Sequence, residues 1–142
     1  MGNNTQMKRR DFLISSTLAA LAPSQVFAAY QPTSFVMETW RNERSSSDLV
    51  ILNFRASWSL TCDIKADLLD DIICSDDSYA NLRILEVDWD TFGPSQMTQR
   101  MKITRHWTLV LLRRGQDEIA RVVNKPYRRN IKAFLDTAVA AS

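Results

Sequence analysis

Glycine is scarce in this chain of 142 residues: Gly2, Gly93 and Gly115 are its only three. They are too scattered for a G-x-G-x-x-G turn or a P-loop, which excludes the glycine-rich cradles that hold nucleotide phosphates. His106 is the single histidine, and Cys62 and Cys74 are the only cysteines. That set cannot assemble a Cys/His zinc site without carboxylates, so neither a metal nor a cofactor is expected. The run Asp88-Trp89-Asp90-Thr91-Phe92-Gly93 opens like a calcium loop. Its fifth position is Phe92, however, and its twelfth is Gln99 where a glutamate is needed. No repeat or low-complexity stretch points to a fibrous or disordered chain. What is present is 45% hydrophobic and 24% charged, enough for one core and too short for two.

The run Lys8-Arg9-Arg10-Asp11-Phe12-Leu13-Ile14 precedes a mildly apolar stretch from Ser15 to Ala22 and ends in Val26-Phe27-Ala28. This three-part pattern reads as an export signal. Paired arginines followed by x-Phe-Leu resemble the bacterial twin-arginine signal, whose passengers cross the inner membrane already folded. Cleavage after Ala28, with Ala29 as the alternative, leaves about 114 residues. Residues 1–28 are thus expected to be the signal and 29–142 one domain. The apolar run from Phe12 to Ala22 falls short of the ~20 residues that span hydrocarbon, so membrane contact only during export and a periplasmic destination are expected, with a retained anchor or an ordinary amphipathic first helix as the alternatives.

Loss of residues 1–28 takes away Lys8, Arg9, Arg10 and Asp11, leaving fifteen basic and fifteen acidic side chains. The net charge of +2 falls to zero, and nothing global draws the mature chain to nucleic acid or anionic lipid. Charge is still uneven, acidic from Asp63 to Asp90 and basic from Arg100 to Lys132. Two solvated faces account for this, with a docking surface as the competing account.

Apolar positions recur at helical spacing between Ser34 and Arg44, and Leu49-Val50-Ile51-Leu52-Asn53-Phe54 reads as a buried central strand. After Ala56-Ser57-Trp58-Ser59 the period changes, with Ile64, Leu68, Leu69, Ile72 and Ile73 as one helical stripe. A second strand is expected over Leu82 to Asp88, and a short helix from Pro94 to Met101. Thr108 to Leu112 and Glu118 to Val123 flank Gly115 as a hairpin. A closing helix begins at Arg128. The order αβαβαββα implies an α/β fold in three α/β/α layers, a parallel βαβ unit joined to a hairpin in one mixed sheet.

That order, with Trp58-Ser59-Leu60-Thr61-Cys62 where the first long strand enters a helix, resembles a thioredoxin-family domain. Phe54-Arg55-Ala56-Ser57-Trp58 is similar to the family's Phe-x-Ala-x-Trp approach to C-x-x-C, and Val87-Asp88 to its middle strand. The resemblance implies a thioredoxin fold, thiol–disulfide exchange, and a protein or peptide thiol partner, with glutathione as a small-thiol candidate. In that family the first cysteine attacks from a helix start, where the dipole stabilises its thiolate. Here the position is Ser59, which cannot form a disulfide. Cys62 holds the second, resolving position and is at most a monothiol. Asn53 replaces the buried aspartate that accepts the second thiol's proton, and Trp107 replaces the cis-proline opposite the cysteines. A trans bond is expected there, because cis before tryptophan costs ~3 kcal/mol or more.

Cys74 cannot substitute for the missing thiol. Twelve helical residues rise about 18 Å, whereas disulfide Cα atoms lie within about 7 Å. A buried, inert thiol is expected for it. An exposed loop histidine is expected at His106, the competing account being that it lies near Cys62, where its imidazole can accept the thiol proton. Trp58 and Trp107 are candidates for an aromatic patch that grips a peptide, against ordinary packing for both. Two functions remain: an exported thioredoxin-family protein with dithiol activity weak or lost, or a non-redox module that binds a peptide or partner protein.

Overall fold

The computed structural model describes residues 30–46, 48–114 and 117–142. Both the export signal and the turn at Gly115 lie outside the described residues. In chain order the elements are β1 (Thr33–Ser34), α1 (Met37–Ser46), β2 (Leu49–Arg55), α2 (Leu60–Ser75), a 3-10 turn (Asp77–Tyr79), β3 (Ile84–Asp88), α3 (Trp89–Phe92), α4 (Gln96–Arg100), β4 (Thr108–Arg113), β5 (Asp117–Val123) and α5 (Arg128–Ala140).

The unbroken apolar run of β2 marks it for the middle of the sheet, where both faces are covered. Strand order is β1-β3-β2-β4-β5. β3 runs parallel to β2 with Asn53 opposite Glu86, and β4 runs antiparallel with Asn53 opposite Leu109. Successive side chains of β2 alternate between two cores. Leu52 and Phe54 join Phe35, Trp40 and Val110 on one face. Ile51 joins Leu69, Ile72, Trp107, Ile131 and Leu135 on the other, beneath α2 and α5. Among the described residues no helix is long and apolar enough to cross a membrane.

Three details differ from the sequence reading. β1 is a two-residue parallel partner of β3, too short to show any period. The helix expected over Pro94 to Met101 is shorter, and a separate turn, α3, precedes it with Asp88 as its cap. Gly93 lies between the two as the C-cap of α3, where a Cβ would stand 2.6 Å from the Trp89 carbonyl oxygen. Finally, Ile64 is exposed; the buried face of α2 is Cys62, Lys65, Leu69 and Ile72, at spacings of three, four and three.

Candidate functional site

Helix α2 begins where β2 ends, and Ser59 is its N-cap. Ser59 Oγ accepts from the Cys62 N–H at 3.4 Å, so one orphan donor of the first turn is satisfied. The same oxygen lies 3.0 Å from Thr61 Oγ1 and 3.1 Å from His106 Nε2. Arg55, at the end of β2, holds Asp63 at 2.9 Å and Glu86 at 3.4 Å, pinning the start of the helix to the sheet.

The loop before Ser59 is clamped by Asp90. Ser57 Oγ donates to Asp90 Oδ2 at 2.8 Å, and Trp58 Nε1 donates to Oδ1 at 2.8 Å. Those bonds hold the Asp90 carboxyl below the usual carboxylate range, with the nearby His106 as a smaller contribution. Trp58 is 66% exposed and its ring packs 4.8 Å from the His106 ring, with Trp89 on another side at 6.3 Å. Leu60 is 73% exposed. The surface of the site is therefore Trp58, His106 and Leu60.

Beneath it lies Cys62, the third residue of α2, with 0% of its surface exposed. Its Sγ reaches the backbone carbonyl of His106 at 3.8 Å. The imidazole faces Ser59 rather than the thiol, and His106 is half-buried against Trp58 rather than the exposed loop histidine expected. Trp107 is 1% exposed and donates Nε1–H to the Thr61 carbonyl at 2.9 Å. The exposed patch of Trp58 with Trp107 does not form, because Trp107 is the floor of the site and packs into the core below α2. No cis peptide bond occurs among the described residues, so the bond before Trp107 is trans.

Two buried polar groups complete the floor. Asn53 donates Nδ2–H to the Tyr30 hydroxyl at 3.5 Å, while its Oδ1 has no partner among the described residues. Burial pushes the Tyr30 hydroxyl pKa up. Lys65, which sequence reading passed over, is fully buried; its Nζ donates to the Phe54 carbonyl at 2.5 Å and stands 4.9 Å from the Trp107 ring centre. Its signal was legible, since a lysine three residues after Cys62 and four before Leu69 must share their face.

Cys74 lies at the far end of α2. It is half-buried rather than buried, donates toward Asp70 Oδ1 at 3.5 Å, and lines a cavity of about 480 Å³ together with Tyr30, Ile73 and Tyr79. No disulfide joins Cys62 and Cys74. Asp88 and Asp90, the start of the calcium-like run, spend their carboxylates on the α3 cap and the Trp58 clamp.

No protein-family model matches the sequence, and no curated protein matches it. Solved structures do. Trxlp from Edwardsiella tarda EIB202 superposes with a TM-score of 0.64 at 21% identity, over 74% of this chain and 98% of that one. The thioredoxin of Malassezia sympodialis gives 0.62 at 18% identity, covering 79% and 95%. Oxidised thioredoxin from Plasmodium falciparum gives 0.62 at 20%, covering 77% and 99%. These likenesses define the class: the chain has the thioredoxin fold, an α/β architecture with a mixed sheet of five strands. Within that class it carries Ser59-Leu60-Thr61-Cys62 at the turn from β2 into α2.

Proposed function

We propose that this chain is an exported thioredoxin-family protein that takes part in thiol–disulfide handling by recognising a polypeptide, with dithiol turnover of its own weak or lost. One observation carries the reading: Ser59, not a thiol, caps α2, and Cys62 below it is 0% exposed. A hydroxyl forms no disulfide, and a thiol without solvent access meets no client sulfur. The exposed Trp58 and Leu60, with His106 beside them, supply an aromatic anchor for a peptide at that surface.

Insulin reduction in dithiothreitol measures the claim directly. The purified chain should run at background, and a rate like that of an ordinary thioredoxin defeats it. Export by the twin-arginine route is checked with Arg9 and Arg10 both changed to lysine, which should leave the precursor in the cytoplasm.

A monothiol role is the second reading, favoured by the place of Cys62 in the first turn of a 16-residue helix. In it, the Cys62 thiol displaces one half of oxidised glutathione, forming a mixed disulfide and releasing the other half as thiol. Mass spectrometry after exposure to oxidised glutathione decides. An adduct absent from Cys62→Ala supports the monothiol, and a native thiol that takes none leaves binding alone.

A further inference from the structure

Ser59 carries more hydrogen-bond geometry than a helix cap requires. Its Oγ accepts the Cys62 N–H at 3.4 Å and shares a hydrogen bond of 3.0 Å with Thr61 Oγ1, in which either hydroxyl can be the donor. His106 Nε2 lies 3.1 Å from the same oxygen, and in the tautomer that leaves Nε2 unprotonated it accepts the Ser59 proton. That separation lies within the reach of about 2.6–3.2 Å that a nucleophile and its base need. The imidazole is held in place by the Trp58 ring, and Trp58 by Asp90.

The helix supplies a third part. The N–H groups of Leu60 and Thr61, the first two of α2, donate to no protein acceptor among the described residues. A carbonyl oxygen gaining charge beside Ser59 meets those donors and the positive end of the helix.

We infer that Ser59 and His106 transfer short acyl groups from activated esters to water. The Thr61 hydroxyl turns away to free a lone pair on Ser59 Oγ, which adds to the ester carbonyl carbon while its proton passes to His106 Nε2. The oxyanion is received by the N–H groups of Leu60 and Thr61. Collapse breaks the bond to the leaving oxygen, which takes the proton from His106. Water then gives a proton to His106 as it adds to acyl-Ser59, and the second collapse returns that proton to Ser59 Oγ and releases the carboxylic acid. No oxidation state changes. Ser59 keeps 6% of its surface, which favours a small acyl group, and the neighbouring Trp58 and Leu60 are exposed apolar side chains available to the leaving group. This activity shares the Trp58, Leu60 and His106 surface with polypeptide docking but does not use Cys62, and labelling of Ser59 reads it separately from docking.

The test treats the purified 142-residue chain with a fluorophosphonate probe and locates the modified peptide by mass spectrometry. An adduct on Ser59 is expected. It should be absent from Ser59→Ala and form about 100-fold more slowly in His106→Gln. Circular dichroism checks each variant for fold. If Ser59→Ala unfolds, Ser59→Gly takes its place, because glycine is tolerated at an N-cap and also lacks the hydroxyl. A folded wild-type chain that takes no adduct at Ser59 overturns the inference. Labelling of Ser59 at an unchanged rate in folded His106→Gln overturns it as well.

Discussion

Lys65→Met removes an ammonium from a fully buried position and should stabilise the protein at neutral pH. In the folded chain Lys65 is fully buried, with the Phe54 carbonyl and the Trp107 ring as its polar company. Desolvation lowers its pKa from 10.5 to about 8, with Arg55 adding to the fall and Cys62 and Glu86 opposing it. Since each pK unit is worth about 1.4 kcal/mol, holding the charged form inside costs about 3 kcal/mol. Methionine has a similar length and no charge. It forfeits the bond to Phe54 and the contact with Trp107, together about 2 kcal/mol. The net gain at pH 7 is about 1 kcal/mol.

The pH dependence is the sharper signature. Below pH 8 the lysine is protonated whether the chain is folded or not, and the full cost is present. Between about 8 and 10.5 it is neutral when folded and charged when unfolded. The unfolded state then binds more protons, so wild-type stability rises with pH through that window. Lys65→Met lacks this rise. Urea unfolding of both proteins at intervals from pH 7 to 10, followed by circular dichroism, should show wild type gaining on the variant as pH increases. Parallel stability curves would refute a desolvated ammonium at this position.

Other substitutions test the remaining parts of the site. Trp107→Ala should cost about 3–5 kcal/mol in chemical denaturation, because it empties the floor below α2 and leaves the Thr61 carbonyl without its donor. A loss under 1 kcal/mol means that Trp107 is not packed as described. Ser59→Ala should lower stability by about 1 kcal/mol through loss of the cap, and Ser59→Gly by only a few tenths. Equal losses for the two contradict the capping geometry. The Asp90 carboxyl, held below its ordinary value of 3.8 by Ser57 and Trp58, contributes stability above that pH and loses it as pH falls through the lower folded value. The difference in urea midpoint between wild type and Asp90→Asn should therefore persist at pH 5 and close in stronger acid, and a difference independent of pH rules the clamp out.

Much of the fold was legible because hydrophobic period and burial coincide. The apolar run of β2 could only be a central strand, and the apolar residues of α5 fall on the face it buries, with Ile131, Phe134, Leu135 and Ala138 inside. Residue identity also spoke for the chemistry, since serine at position 59 excludes a disulfide whatever surrounds it. The stripe of α2 was harder. Ile64 and Lys65 are neighbours in sequence, and a reading that trusts polarity puts the isoleucine inside. The helix puts it outside, because Cys62, Leu69 and Ile72 fix the buried face and Lys65 lies on it.

The sequence by itself determined the order of the principal strands and helices, though not β1 or α3, and also the central strand, the absence of a second thiol near Cys62 and the hydroxyl in its place. Each follows from periodicity or from the covalent nature of a side chain, and neither depends on distant neighbours. Only the tertiary structure decided that Trp107 lies in the core while Trp58 faces water. It alone turned the His106 imidazole toward Ser59 rather than Cys62, and set Asp90 against Trp58 across 32 positions of chain. Such pairings arise when loops from separate strand ends meet over one helix terminus, and no local pattern encodes which of two adjacent side chains will turn inward there.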